Sequence, residues 1–308
     1  MATHPGHGHD HVVPAGAEHG RRLAMVLGIS GAILVVEVIG AVLSGSLALL
    51  ADAGHLLTDV AGLSLAVVAA TLAGRPATDE RTWGYRRAEV LAAATQAAVL
   101  LAVGVFVLVE GARRLVTAPP VSGHAMVAFG LVGLAGNAVS IALLVKTRGA
   151  NFNTRAAFLE VVNDALGALA VLAAALIIVV MGWRRADAVA SLLIGALILP
   201  RTWKLLQETV DVLLEATPKG VQLAQVRAHL LEVDHVRDVH DLHASTVATD
   251  LPVLTAHVVV DDSCFQDGHV PALLDELQEC LSGHFDVGHS TFQFEPASHA
   301  AHEHPTHP

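Results

Sequence analysis

The stretch SLALLADAGHLLTDVAGLSLAVVAAT, residues Ser46 to Thr71, is long and apolar enough to cross a lipid bilayer as one helix. Three ionisable residues lie within it: Asp52, His55 and Asp59. A charged group at the centre of a bilayer costs at least about 2.5–3.5 kcal/mol, so residues of this kind are candidates for function. Their spacing of three and four residues places all three on one stripe of a helix.

The rest of the chain has the composition of a membrane protein with several spans. Of its 308 residues, 53% are hydrophobic and only 15% are charged, and the mean hydropathy is +0.56. A water-soluble domain of this size needs more charge to cover its surface. Apolar runs of spanning length predict a bundle of six transmembrane helices, at about Leu23–Leu43, Ser46–Ala73, Ala88–Val116, Ala125–Val145, Phe152–Met181 and Ala186–Leu206.

The basic residues predict the direction in which these helices run. Eleven Lys and Arg residues flank the helix ends on the side of the N-terminus, and four flank the opposite ends. Because cytoplasmic loops carry the excess of Lys and Arg, both termini are expected in the cytoplasm. The lipid bilayer in question is then the plasma membrane, which is the inner membrane of a bacterial cell.

After Pro218 the pattern changes to that of a small soluble domain. The predicted order is helix, strand, strand, helix, strand (αββαβ), at residues 221–233, 239–247, 253–260, 270–281 and 290–296. This order predicts a cytosolic, ferredoxin-like α+β domain with one sheet and two helices. From Glu208 onward the chain has 17 acidic residues and three basic ones, which argues against nucleic acid as a partner and is compatible with attracting cations.

Both ends of the chain are rich in histidine, of which the sequence has 19. The predicted organisation is therefore a His-rich cytosolic tail at 1–20, a transmembrane domain at 21–210, a cytosolic α+β domain at 211–297 and a His-rich C-terminal tail at 298–308. Tails of Gly, Pro and His do not fold alone. Their expected use is weak, exchangeable metal capture near the cytosolic entrance; a polar tail without that role is the alternative. The histidines concerned are His4, His7, His9, His11, His19, His299, His302, His304 and His307.

The predicted fifth helix offers a pair of acids that matches the pair in the second helix. Glu160 and Asp164 stand four residues apart, as do His55 and Asp59, so each pair lies on one helix face. One imidazole and three carboxylates suit a first-row divalent metal, and tetrahedral closure is typical of Zn²⁺. Without metal such a site holds protons, which metal entry expels, and this exchange is the physical basis of metal/proton antiport.

The alternative for any single polar residue in a span is a contact between helices. Two pairs with the same spacing at mid-helix depth favour the metal site. Asp52 is predicted to lie on a release path or to support the ligands. Asn163, next to Asp164, is predicted to support them through hydrogen bonds.

Three segments of the chain resemble one known family. SGSLALLADAGHLLTDVAGLSLAVVA (44–69), RPATDERTWGYRRAEVLAA (75–93) and NTRAAFLEVVNDALGALAVL (153–172) are similar to the cation diffusion facilitators, exporters of zinc, cobalt and cadmium. The resemblance covers nearly the whole chain. It implies a homodimer, alternating access and proton-driven export from the cytoplasm, with the metal-binding pairs at His55 and Asp59 and at Glu160 and Asp164.

The chain departs from the zinc-selective members of that family at Glu160, where they have histidine. A carboxylate makes the site harder and adds a negative charge, which leaves open a broader selectivity that includes Mn²⁺ or Fe²⁺. Zn²⁺ remains the expected cargo, with Co²⁺ and Cd²⁺ beside it and H⁺ as the counter-ion.

In the cytosolic domain the resemblance implies a further set of metal ligands at His240, His257, His269 and Glu295. His240 and His257 are expected on adjacent strands, where cross-strand neighbours approach to about 5 Å. A metal ion bound there could bias the helices of the dimer toward one facing state.

Two other functions remain as alternatives to transport. An intramembrane metalloenzyme needs an open coordination position and a general base, typically in the motif HExxH, which the sequence lacks. The chain is therefore not expected to be an enzyme. A membrane metal sensor, with the cytosolic domain as its working part, is the second alternative.

Overall fold

The structure is a computed structural model that describes residues 15–145, 152–249 and 251–300. Within these residues six helices are long and apolar enough to cross a membrane, as the sequence predicts. Their bounds are α1 Ala15–Ser44, α2 Leu47–Ala73, α3 Ala88–Thr117, α4 Gly123–Leu144, α5 Phe152–Met181 and α6 Arg185–Leu213. Helix α1 begins inside the predicted N-terminal tail, and the earlier tail histidines His4, His7, His9 and His11 lie outside the described residues.

The described chain divides into two compact units. One is built from the residues up to Leu63 together with Ala98–Trp203, and the other from Ser64–Ala97 together with the residues from Lys204 onward. The first unit contains most of the spanning helices, and the second contains the cytosolic domain.

Within the first unit, a buried carboxylate holds the start of α2. Asp187, only 1% exposed, accepts hydrogen bonds from the Ser46 hydroxyl at 2.5 Å and from the backbone N–H groups of Leu47 and Ala48 at 2.9 and 3.1 Å. The first N–H groups of a helix have no partner within the helix, and a negative charge there also complements the helix dipole. Asp187 therefore ties the N-terminus of α2 to α6 and serves the fold.

Small residues let the spanning helices approach closely, as is usual in membrane proteins. A Cβ atom at Gly40 would lie 2.5 Å from the Phe129 ring, and one at Gly167 would lie 2.5 Å from the Asp52 carboxylate. Gly167 therefore allows α5 to approach the functional stripe of α2.

The second unit contains the predicted α+β domain. Its elements are α7 Leu223–Leu231, β1 Val236–Ala248, β2 Leu251–Val260, α8 Cys264–Asp267, α9 Val270–Phe285, β3 His289–Pro296 and α10 Ala297–Ala300. The αββαβ order is as predicted, with two additional one-turn helices, α8 and α10. The sheet has the order β1-β2-β3, with β1 and β2 antiparallel and β2 and β3 parallel.

The core of this domain lies between one face of the sheet and the two longer helices. Val226 of α7 and Leu277 of α9 are fully buried together with Val239 of β1 and Val258 of β2. Because strand side chains alternate between faces, the residues next to these valines point to the opposite face of the sheet. The candidate ligands of the domain lie on that opposite face.

Candidate metal sites

The first cluster of ligand atoms centres on the His55 imidazole in α2. Its Nε2 lies 3.5 Å from Asp59 Oδ2, 3.8 Å from Glu160 Oε1 and 3.9 Å from Asp164 Oδ1. The spacing of four residues brings the members of each pair onto one helix face, and the packing of α2 near α5 brings the two pairs together. The structure thus brings the three predicted carboxylates to within 3.9 Å of His55 Nε2. We call these four residues the membrane cluster.

The donor set of the membrane cluster fits a small dication. Zinc with metal–ligand bonds of about 2.0–2.2 Å in a tetrahedron has neighbouring ligand atoms roughly 3.4 Å apart. The ligand atoms of His55, Asp59 and Glu160 already lie within 4.8 Å of one another. In the described part of the chain, the buried Asp59 Oδ2 accepts no hydrogen bond of regular geometry, which suits an atom that binds a cation.

An arginine that the sequence analysis did not connect with the site contacts the membrane cluster. Arg201 of α6 donates a hydrogen bond from Nη2 to Glu160 Oε2 at 3.2 Å. Three ionised carboxylates and one guanidinium carry a net charge of two negatives, which a dication neutralises. The sequence marks Arg201 only as one basic residue at a helix end, because 41 residues separate it from Glu160. The guanidinium is 69% exposed, so water competes for this pair.

A small cavity adjoins His55. It lies between α2, α3 and α6 and has room for about one water molecule. Its lining includes Val103 and Gly104 of α3 and Gly195 and Ile198 of α6. The imidazole thus borders a mostly apolar, water-sized space and also lies within 3.9 Å of three carboxylates.

The two residues predicted to support the membrane cluster differ in their placement. Asp52 is 6% exposed and lies against Gly167, and a role beside the ligands stays a prediction. Asn163 is exposed, because one residue before Asp164 means a rotation of about 100° around the helix. The structure does not bring Asn163 to the ligands, and we leave it out of the site.

A second cluster of ligand atoms lies in the cytosolic domain. His240 Nε2 is 2.9 Å and His257 Nδ1 is 3.4 Å from Glu295 Oε1. His240 and His257 are register partners on β1 and β2, with ring centroids 5.2 Å apart, and Glu295 projects from β3. The three ligand atoms lie within 4.8 Å of one another, and we call these residues the cytosolic cluster.

Glu295 is the residue of the cytosolic cluster whose burial best suits the binding of a cation. Its side chain is 2% exposed, and in the described part of the chain neither carboxylate oxygen accepts a hydrogen bond of regular geometry. A buried charge is costly unless it is paired or coordinates a metal. Two imidazoles and this carboxylate are ligands that suit Zn²⁺.

The fourth residue predicted for this cluster, His269, lies elsewhere in the structure. It stands at the N-terminus of α9, with its ring 5.1 Å from the His235 ring and Nδ1 3.6 Å from Asp267 Oδ2. The sequence alone does not predict the position of His269, because that position depends on where α9 begins. His269 is therefore not part of the cytosolic cluster described here.

Other titratable groups of the cytosolic domain have shifted pKa values, and their surroundings explain the direction of each shift. Two hydrogen bonds from Arg237, at 2.6 and 2.7 Å, hold the pKa of the Asp261 carboxyl below its usual range. Burial raises the pKa of the Cys264 and Cys280 thiols, and both cysteines are free.

Two family models match most of the chain. The cation efflux transmembrane domain matches residues 23–214, and the cytoplasmic domain of cation efflux proteins matches residues 218–297. The chain therefore belongs to the cation efflux family, the cation diffusion facilitators. It is a membrane protein with several spans, of the transporter type.

Named relatives are similar over nearly their whole length. The metal cation efflux system protein CzcD of Cupriavidus metallidurans is 40% identical over 95% of this chain and 90% of its own. The zinc transporter ZitB of Escherichia coli is 39% identical over 94% and 92%, respectively. The cadmium, cobalt and zinc/H(+)-K(+) antiporter of Bacillus velezensis is 31% identical over 96% and 93%. A solved structure of the metal-bound C-terminal domain of CzcD matches 24% of this chain and 99% of that domain, at 37% identity and a TM-score of 0.22.

Proposed function

We propose that the protein is a homodimeric antiporter of the bacterial inner membrane that exports Zn²⁺ from the cytoplasm in exchange for H⁺, with Co²⁺ and Cd²⁺ as further substrates. The observation that carries the proposal is the convergence of three carboxylates on the His55 imidazole within 3.9 Å. The names of the relatives, a zinc transporter, a metal cation efflux protein and a cadmium, cobalt and zinc antiporter, support the same cargo.

The membrane cluster binds the cargo ion through His55, Asp59, Glu160 and Asp164. When the ion is absent, protons occupy the carboxylates, because three ionised acids close together in a low-dielectric site repel one another. The arriving ion displaces these protons, since only deprotonated groups act as ligands. Arg201 pairs with Glu160, so its guanidinium competes with the arriving dication for this carboxylate.

Transport proceeds by alternating access. The ion enters from the cytosol and binds between α2 and α5, and a shift of these helices opens the site to the outer side. Protons from outside then replace the ion and reset the cycle. Asp52 of α2 and Gly167 of α5 are in close contact near the ligands. The two helices would move against each other at this contact.

The proposed topology has both termini in the cytoplasm. The domains are the transmembrane part at 21–210 and the cytosolic part at 211–297, with the His-rich tails 1–20 and 298–308 capturing metal near the entrance. The excess of basic residues at the helix ends on the side of the termini supports this direction.

The cytosolic cluster regulates the transporter. Metal bound by His240, His257 and Glu295 stabilises one arrangement of the paired cytosolic domains, which shifts the helices toward one facing state. The match of residues 218–297 to the cytoplasmic domain of cation efflux proteins supports this division of labour. The alternative of a metal sensor without transport is not favoured, because the relatives bear the names of transporters and efflux proteins.

The test is metal uptake into proteoliposomes driven by a proton gradient. The wild-type chain is compared with Asp59→Ala, Asp164→Ala and the control Glu110→Gln. Each is assayed with Zn²⁺, Co²⁺ and Cd²⁺ as substrates, and Zn²⁺ flux is also assayed with Mn²⁺ or Cd²⁺ as competitor. Glu110 lies in α3, where it pairs with Arg113 and Arg114, away from the cluster. We expect both aspartate variants to lose gradient-driven flux while the control keeps it.

Each outcome of this assay bears on the proposal. Zn²⁺ flux that persists in Asp59→Ala or Asp164→Ala would remove the membrane cluster as the transport site. Metal flux that ignores the proton gradient would remove the antiport. Stronger inhibition by Mn²⁺ than by Cd²⁺ would replace Zn²⁺ with harder ions as the preferred cargo.

A further inference from the structure

The cytosolic cluster is incomplete as a closed metal site. Structural zinc sites have four protein ligands, and His240, His257 and Glu295 supply three. Both histidines approach the same oxygen of the carboxylate, Glu295 Oε1. The other oxygen, Oε2, is equally buried and faces a different residue.

That residue is His299, whose Nε2 lies 3.6 Å from Glu295 Oε2. In a tetrahedral zinc site with bonds of about 2.0–2.2 Å, neighbouring ligand atoms are roughly 3.4 Å apart. The distance from His257 to the carboxylate, 3.4 Å, and that from His299, 3.6 Å, both match this separation. With one oxygen of Glu295 on the ion, the three imidazoles and this oxygen would make four ligand atoms.

The local chain path explains why His299 lies there. Strand β3 pairs with β2 as far as Pro296, and the single turn α10, Ala297–Ala300, follows directly and packs against both strands. A spacing of four residues across this turn brings His299 back over Glu295. The first histidine of the C-terminal tail is thus folded onto the sheet. His302, His304 and His307 lie outside the described residues.

We propose that His299 is the fourth ligand of the cytosolic cluster, so that a divalent cation of the zinc type ties the start of the C-terminal tail to the sheet. The inference rests on the metal-binding role proposed for His240, His257 and Glu295. It assigns His299 to a defined site, in place of unspecific capture by the tail.

The experiment uses the full chain in detergent with Asp164→Ala as background, which removes the membrane cluster, and Co²⁺ as the spectroscopic probe. The visible absorption of Co²⁺ distinguishes a four-coordinate from a six-coordinate ion. The variants are His299→Gly, His257→Ala and the control His284→Gly. His284 is an exposed histidine of the same domain whose Nδ1 contacts the Cys280 carbonyl. All variants keep both tails, so the tail contribution cancels in difference spectra.

We expect His299→Gly to weaken Zn²⁺ binding to the cluster by at least about tenfold, which is the lower limit for loss of even an outer partner of a ligand. The four-coordinate Co²⁺ bands should fall in this variant and return when free imidazole is added, because imidazole occupies the vacated position. The wild-type spectrum should not respond to imidazole, since a closed site has no vacancy. A merely structural role for His299 would give no rescue.

Three results would count against the proposal, and they are distinguishable. If His299→Gly behaves like His284→Gly while His257→Ala loses the metal, His299 is not a ligand and the three-residue cluster stands. A wild-type spectrum that responds to imidazole would also show an open position and overturn the closed site. If His257→Ala keeps the full metal signal, the cytosolic cluster itself fails and takes the assignment of His299 with it.

Discussion

The two metal clusters of this protein use the same kinds of ligand atom on different scaffolds. In the membrane cluster two of the three acids are partly exposed, Asp59 at 22% and Glu160 at 28%, whereas Asp164 is at 8%; Glu160 already has a competing partner in Arg201. In the cytosolic cluster the single acid, Glu295, is 2% exposed. The ligands of the membrane cluster have other partners available when the ion leaves, whereas those of the cytosolic cluster have few.

This difference matches what each site has to do. Ligands on two helices can separate when the helices move, and water, protons and Arg201 can take the place of the ion. Ligands on three hydrogen-bonded strands are fixed by the register, in which His240 lies opposite His257. A transported ion must be released in every cycle, and a regulatory ion must remain bound while the cycle runs. The scaffold therefore indicates the role more clearly than the ligand atoms do.

The largest expected effect is a variant that loses its tightly bound Zn²⁺ but keeps the metal flux driven by a proton gradient. His257→Ala removes one of the three ligands of the cytosolic cluster and leaves His240 beside the buried Glu295. We expect the purified chain to lose its tightly held Zn²⁺ on dialysis, with an affinity for this ion that falls by at least about 100-fold, the upper range for outer-partner mutations. Gradient-driven flux should persist, although without stimulation by cytosolic metal. The amount of bound Zn²⁺ per chain is measured by inductively coupled plasma mass spectrometry.

The matched variant is Asp59→Ala, which should show the reverse pattern. It should keep the tightly held ion of the cytosolic cluster and lose flux. If both variants lose retention and flux together, the two clusters are not separate sites with separate roles, and the contrast between their scaffolds has no functional meaning.

Much of the fold follows from local patterns in the sequence. The lengths of apolar runs predict the six spans, and alternation predicts the two antiparallel strands, because both signals depend on residues close together along the chain. Helix α1 extends further toward the N-terminus than predicted, and α6 continues to Leu213, because polar residues at helix ends do not interrupt helical geometry. The one-turn helices α8 and α10 carry no periodic signal, since four residues are too few.

The candidate sites separate local from long-range information in the same way. Spacing of four residues finds His55 with Asp59 and Glu160 with Asp164, because a helix converts that spacing into contact. The same reasoning fails for Asn163, which is adjacent in sequence but turned away around the helix. Arg201 and His269 depend on how separate elements pack, and the sequence alone gives no distance between such elements.

A smaller effect is expected at the ion pair that distinguishes the membrane cluster. Arg201→Gln removes the cation that competes with the cargo for Glu160. The site should then bind Zn²⁺ more tightly and release it more slowly, so both the half-saturating concentration and the maximal flux should fall. The change should be about two- to fivefold, because an exposed pair contributes roughly 0.2–1 kcal/mol. Lys204→Gln, a basic residue nearly one turn further along α6, serves as the control, and a rise in the half-saturating concentration would contradict the competition.

The smallest effect concerns a surface ion pair of the cytosolic domain, which carries no metal role. Arg237 lowers the pKa of Asp261, so this carboxylate stabilises the folded domain above its ordinary pKa of about 3.9, and the contribution is lost as the pH falls through the lowered value. Arg237→Gln should therefore reduce the Tm slightly at pH 5–8, and the difference from wild type should begin to shrink below about pH 4 and disappear below the lowered pKa. Stabilisation by Zn²⁺ should be lost at a higher pH than the contribution of Asp261. The reason is that protons displace Zn²⁺ from imidazole ligands before they titrate a carboxylate. Thermal unfolding with and without Zn²⁺ across this range measures both. The change in Tm caused by Arg237→Gln and the change caused by Zn²⁺ should disappear at different pH values. If both disappear at the same pH, the ion pair and the metal site are coupled and not independent.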